Sequence, residues 1–228
     1  MSINIALVGN PNSGKTTLFN ELTGSNQYVG NWPGVTVEKK TGKVRNSSQE
    51  IRVTDLPGIY SLSTYSLEEV IAREYLESDQ AELIVNIVDA SNLERNLFLS
   101  LQLLEVGKPM IIALNMMDVL QHRGDTLDVA KLQKELGVPV IAITAAKGIG
   151  IDVLTEAIVN HDRKIVPFKE IYSPVVMKLI RYLEKELNVS TSPKLHALRF
   201  IDEGPKAIDG HDHDPIKMVL LNEEVERQ

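Results

Sequence analysis

Eight residues near the N-terminus constrain this chain more than any others. Gly9-Asn10-Pro11-Asn12-Ser13-Gly14-Lys15-Thr16 has the spacing G-x-x-x-x-G-K-[ST], between the apolar run Ile3–Val8 and the helical pattern Lys15–Leu22. A strand that turns through such a loop straight into a helix opens a βαβ unit, and it commits the chain to a parallel sheet covered by helices. The loop also carries a chemistry. Its glycines let backbone N–H groups wrap phosphate oxygens, and the helix N-terminus adds partial positive charge. Lys15 is placed to reach β- and γ-phosphates and the Thr16 hydroxyl to bind Mg²⁺, with Thr17 beside it on the first helical turn.

The rest of the pattern agrees with such a sheet. Short, branched apolar runs recur at Leu83–Val88, Pro109–Leu114 and Val138–Ile143, as central parallel strands require. Helical patterns separate them at Leu67–Leu76, Glu94–Val106, Val129–Leu136 and Ile151–Val159. Between Val37 and Thr54, two alternating runs flank the polar turn Asn46-Ser47-Ser48-Gln49, which predicts a hairpin and hence one antiparallel strand. The expectation is an α/β P-loop fold with a six-stranded, mostly parallel sheet. Its 228 residues leave room for a smaller appendage. After Val166-Pro167 no buried-strand run occurs, and helical patterns at Pro174–Leu187, Pro193–Ile201 and Pro215–Arg227 predict a helical domain over 168–228, following a nucleotide-binding domain over 1–165. The last pattern runs into Gln228 without a glycine or proline stop, so a chain cut from a longer one is expected.

Composition excludes some functions. A net charge of -7 argues against broad binding to nucleic-acid phosphates. The absence of cysteine rules out disulfides and thiolate metal sites and fits a reducing compartment. No run of about 18 apolar residues is present to span a membrane, and the N-terminus lacks the basic region of a signal peptide.

Further motifs follow the strands. Asp55-Leu56-Pro57-Gly58 comes after the run Ile51–Thr54; an acid there holds Mg²⁺ through water, and the Gly58 N–H meets a γ-phosphate. Asn115-Met116-Met117-Asp118 ends the strand Pro109–Leu114. The Asp118 carboxylate is suited to accept two hydrogen bonds from guanine N1–H and N2–H₂, a donor pair that adenine lacks. Thr144-Ala145-Ala146 ends the next strand, and the Ala145 N–H is the expected donor to guanine O6. Gly34-Val35-Thr36, in the turn-rich stretch Gly30-Asn31-Trp32-Pro33-Gly34, offers Thr36 to complete the Mg²⁺ shell. Trp32 reads equally well as a packing anchor, and His211-Asp212-His213-Asp214 reads as a solvated loop and helix start rather than a metal site.

These motifs stand in the order of the translation-factor-like GTPases, with their Ras-like G-domain fold. More narrowly, Val29-Gly30-Asn31-Trp32-Pro33-Gly34-Val35-Thr36-Val37-Glu38, Asp55 to Leu62, and Asn86 to Ala90 with Leu93 to Leu97 resemble the FeoB family of bacterial and archaeal ferrous iron transporters. Two departures from the general GTPase pattern also resemble that family. Ile59 stands where a water-orienting glutamine is usual, and Met116 stands where Ras-like proteins have lysine. The resemblance implies slow GTP hydrolysis with Lys15, Thr36, Gly58 and Asn12 as the catalytic set. It also implies K⁺ held by Asn12 and by the carbonyls of Gly30 and Trp32. The rest of the implied picture is a helical spacer domain, a membrane-spanning transporter domain in the same parent chain, placement at the cytoplasmic face of the inner membrane, and regulation of iron transport. An RNA- or ribosome-associated assembly GTPase and a GTP-binding switch without significant hydrolysis stay open beside it, as do the oligomeric state and metal binding at His211 and His213.

If Asp118 reads the base, Asp118→Asn weakens GTP and GDP binding and admits xanthine nucleotides, whose C2 oxo group turns the donor into an acceptor. Competition binding against GTP, ATP and XTP checks this; equal competition by ATP in the parent protein would refute the assignment.

Overall fold

The computed structural model describes residues 2–63, 65–165, 172–187 and 192–203. Seven strands form one sheet: β1 (Ile3–Gly9), β2 (Gln27–Asn31), β3 (Glu38–Lys43), β4 (Ile51–Asp55), β5 (Leu83–Asp89), β6 (Met110–Asn115) and β7 (Val140–Ala142). Their order is β2-β3-β4-β1-β5-β6-β7. β3 is antiparallel to both neighbours, as the hairpin pattern requires, and the remaining pairings are parallel.

The seventh strand corrects the expected six. β2 pairs with β3 through Tyr28↔Thr41 and Gly30↔Lys39. It lies at the sheet edge and buries neither face, with Tyr28 72% and Val29 52% exposed. A strand without a buried face has no alternation for a sequence pattern to register.

The interior strands form because they are covered on both sides. Every residue of β5 and β6 is buried, which explains their continuous apolar runs. β1 sits between β4 and β5, with Ile5 opposite both Val53 and Leu83. Helices α1 (Lys15–Thr23), α2 (Leu67–Glu77), α3 (Leu93–Glu105), α4 (Met117–His122) and α5 (Val129–Leu136) connect the strands, and α6 (Ile151–Asn160) follows the last of them. The core gathers Phe19 and Leu22 of α1, Leu154 and Ile158 of α6, and Ile5, Leu7, Val85, Ile87 and Ile111 from the sheet. α2 starts at a capping box: the Ser66 hydroxyl accepts from the Glu69 N–H, and the Glu69 carboxylate accepts from the Ser66 N–H. Because the phosphate-loop sequence leaves the C-terminal end of a central strand, both walls of the site come from neighbouring strand ends.

The chain divides into two compact units, Met1–Phe168 and Lys169–Gln228. In the second, α7 (Pro174–Leu187) and α8 (Pro193–Glu203) bury Met177, Ile180, Leu183, Leu187, Ala197 and Phe200 together. The pattern at Pro215–Arg227, His211 and His213 lie outside the described residues. Among the described residues no helix is long and apolar enough to cross a membrane.

Phe19 is fully buried beneath the phosphate loop's own helix. Phe19→Ala is expected to cost about 3–5 kcal/mol of unfolding free energy, read from urea denaturation.

Candidate functional site

The phosphate loop has the backbone its sequence demands. Asn12 (φ 65°) and Gly14 (φ 91°) both adopt the left-handed conformation. The Ser13 N–H donates to the Asn10 carbonyl at 3.2 Å, and the Leu18 N–H donates to the Gly14 carbonyl at 2.9 Å, which launches α1. Asn10, Pro11, Asn12, Gly14, Lys15, Thr16, Thr17, Gly58 and Met116 line one cleft of about 620 Å³. The cleft thus brings together residues as far apart in sequence as Asn10 and Met116.

Lys15 forms an ion pair with Asp55, and both side chains are largely buried. Burial pushes the Asp55 carboxyl above its ordinary range, and the Lys15 ammonium opposes that shift. The Thr16 hydroxyl and the Asp55 carboxylate are hard oxygen donors at the mouth of the helix, a set suited to Mg²⁺. Thr36, exposed in the loop before β3, is not among the cleft's walls, nor are Gly34 and Val35.

The ligands implied for K⁺ do not assemble. Asn12 faces the cleft, but Gly30 is paired with Lys39 in the edge strand β2. Three strand spacings separate β2 from β1, roughly 14 Å. The Trp32 carbonyl accepts the Val35 N–H at 3.3 Å. Trp32 is the packing anchor of its loop: it is buried, meets Tyr75 edge-on at 5.4 Å, and lies under the Lys39 ammonium at 4.4 Å. Gathering Asn12, Gly30 and Trp32 around one cation therefore requires the stretch from Gly30 to Trp32 to leave this arrangement.

The base-reading segment is built around Asn115. Its amide Nδ2 donates to the Ser13 carbonyl at 2.9 Å, and its Oδ1 accepts the Ala145 N–H at 2.9 Å. Asn115 therefore joins three loops rather than presenting its amide to a ligand. This corrects the Ala145 assignment, since that N–H is already spent on Asn115. Ala146, exposed on the same turn, takes its place as the candidate donor to a base oxygen.

Met116 has φ 62° and caps α4, which sets Asp118 on the first turn. The Asp118 Oδ1 accepts the Val119 N–H at 3.0 Å, and Oδ2 pairs with the Lys147 ammonium at 2.8 Å. The hydrogen bond from Lys147 holds the Asp118 carboxyl below its ordinary range, so it is ionised at neutral pH. Lys147 was missed by sequence reading. It stands 29 residues away, and no local spacing ties it to Asp118.

The segment after Gly58 is pinned at several points. Ile59 is buried, and its N–H donates to the Gly9 carbonyl at 3.2 Å. Ser61 and Ser63 donate to the Glu69 carboxylate at 3.0 and 2.6 Å. Burial raises the Glu69 carboxyl, but these bonds and those from Ser66 outweigh it and bring the group below its ordinary range.

The profile of the family described as Ferrous iron transport protein B matches residues 3–158. The Fe(2+) transporter FeoB of Legionella pneumophila (strain Paris) is 48% identical over 185 residues, covering 79% of this chain and 25% of that protein. The chain thus spans about a quarter of the length of the curated relatives it matches. An S. thermophilus NFeoB variant bound to GDP superimposes with a TM-score of 0.92 at 43% identity, covering 99% of this chain and 89% of that one. Another, bound to GMPPNP, gives a TM-score of 0.85 at 42% identity, again covering 99% and 89%.

Asn115→Ala strands the Ser13 carbonyl and the Ala145 N–H. Both residues are nearly inaccessible to solvent, so each orphaned group is expected to cost about 1–3 kcal/mol. Urea denaturation of the two proteins measures the sum.

Proposed function

We propose, from the premise that this chain belongs to the FeoB family of ferrous iron transport proteins, that its first unit binds GTP and hydrolyses it to GDP and phosphate. The observation that carries this is the single cleft in which the phosphate loop, Gly58 and Met116 meet. The loop amides and the N-terminus of α1 bind the phosphates. Lys15 exchanges Asp55 for the β- and γ-phosphate oxygens, where it meets charge that develops in phosphoryl transfer. Asp118 and the Ala146 N–H select guanine, and the Met116 thioether covers the base face. The relatives bound to GDP and GMPPNP support a guanine nucleotide as the ligand.

Thr16 and Asp55 would hold Mg²⁺, which would supply positive charge at the phosphates. Thr36 joins that shell only if its loop moves from where it now lies. The side chain of Ile59 is packed in the core, so orienting the attacking water falls to backbone groups near Gly58 and Thr36. For the parent protein we propose that nucleotide state regulates ferrous iron transport by a membrane-spanning part, with 168–228 as the spacer between them, at the cytoplasmic face of the inner membrane. The chain's acidity weighs against an RNA-associated role.

K⁺ stimulation is proposed on the resemblance and on the position of Asn12 at the cleft. The GTPase rate in K⁺ is expected to exceed that in Na⁺ at matched ionic strength, and Asn12→Ala is expected to abolish the difference while leaving GDP affinity largely intact. Equal rates in the two salts would refute K⁺ stimulation. Negligible rates in both would leave a binding switch without hydrolysis.

A further inference from the structure

α3 presents a stripe of side chains to the segment that follows Gly58. Arg95 and Gln102 are seven residues apart, two helical turns, and so share one face. The Gln102 amide oxygen accepts the Leu62 N–H at 2.8 Å. The Arg95 guanidinium lies over the Tyr60 ring at 4.4 Å. The opposite face of α3 is fixed to the sheet. Ser100 donates to the Asn86 side chain at 2.6 Å, and the Asn86 amide donates to the Val8 carbonyl at 3.3 Å, one residue before the phosphate loop. Asn86 and Ser100 are both buried. The same helix therefore connects rigidly to the end of β1 and holds the 60–62 segment.

We infer that Gln102 is a positioning residue for this segment: by taking the Leu62 N–H it keeps Gly58 at the wall of the phosphate cleft. The geometry between the two ends is short. Ile59 is fixed to Gly9 at one side and Leu62 to Gln102 at the other, so the backbone from 59 to 62 spans two anchors. Gly58 stands just outside that span, against Pro11, where an added Cβ would come within 3.4 Å of the loop backbone. Freeing Leu62 removes one of the two backbone anchors, leaving the side-chain bonds of Ser61 and Ser63 to Glu69 in place, and widens the range of positions open to the Gly58 N–H. The phosphate-loop amides do not depend on this anchor. A ligand that needs Gly58 loses affinity, and a ligand that needs only the phosphate loop does not. The inference rests on the reading of the site as a GTP site, because it is the γ-phosphate that distinguishes the two ligands.

Two variants separate the hydrogen bond from the packing. Gln102→Met keeps the length of the side chain and removes the strong acceptor; Gln102→Glu keeps an acceptor at the same place. In the nucleotide-free protein, amide hydrogen exchange at Leu62 is expected to speed up about five-fold or more in Gln102→Met, the worth of one net hydrogen bond, and to stay within two-fold of the parent in Gln102→Glu. GMPPNP affinity is expected to fall about five-fold in the Met variant, with GDP affinity changed less than two-fold and both retained in the Glu variant. Met and Glu variants that exchange Leu62 alike, or a Met variant that loses GDP and GMPPNP equally, would overturn the inference. A parent protein that binds neither nucleotide would instead overturn the GTP reading, and the exchange measurement would still decide the role of Gln102.

Discussion

One primary amide, that of Asn115, ties the phosphate loop to the two loops beside it. It has a donor end and an acceptor end and spends each on a backbone group that sheet pairing leaves over: the Ser13 carbonyl and the Ala145 N–H, both at 2.9 Å. Nothing in the sheet itself fixes the relative positions of these loops, because each begins where its strand stops pairing. The clasp is buried, so the bonds are made without competition from water and are correspondingly costly to leave unmade. It also decides the residue that precedes Lys15. Gly14 sits at φ 91°, and a Cβ there would collide with the Asn115 amide. Gly9 answers to the same crowding from β5, since a Cβ on it would run into Ile87. The two glycines of the motif are thus required by neighbours as well as by the turn.

The sheet assigns different physical characters to the two sides of this clasp. β5 and β6 are buried along their whole lengths, so the loops that follow β1 and β6 start from positions that cannot shift without opening the core. That rigidity suits loops that must present backbone amides and one carboxylate at fixed places. Asp118 shows how finely this is done: the Val119 N–H and the Lys147 ammonium hold its two oxygens, and the carboxylate keeps further lone pairs for a ligand.

How much of this could be read beforehand follows from where each contact lies along the chain. The phosphate loop, Asp55 to Gly58 and Asn115 to Asp118 are contiguous, and each follows an apolar run, so both chemistry and placement were legible. The hairpin at 46–49 was legible from its polar turn and from the alternation at Ile51-Arg52-Val53 at the start of β4, whereas β3 shows no alternation of burial. β2 was not, because an edge strand exposed on both faces leaves no periodic trace. The role of the Ala145 N–H could not be read, since it depends on Asn115 turning its amide inward, 30 residues away. Lys147 and Gln102 were invisible for the same reason: their partners are distant in sequence, and lysine or glutamine on a polar face is the commonest thing a helix or turn displays. Trp32 carried two readings, and burial against Tyr75 favours the packing one.

The edge that was hardest to read is also the part most free to change. β2 and β3 contribute little buried apolar surface, and the loop carrying Thr36 is largely exposed. Local opening is cheapest where few apolar contacts must be broken, and here the main obstacle is Trp32 seated against Tyr75 with Lys39 over it. Gly30 and Thr36 flank that anchor in sequence. The tryptophan, together with the pairing of Gly30 to Lys39, thus opposes movement of both toward the cleft, while the phosphate loop is held by Asn115. On the proposed reading, a fixed wall beside a loop that can move would let the same fold hold phosphate and still respond to how many phosphates are there. The response requires only that a γ-phosphate offer the loop partners worth more than the anchor it leaves.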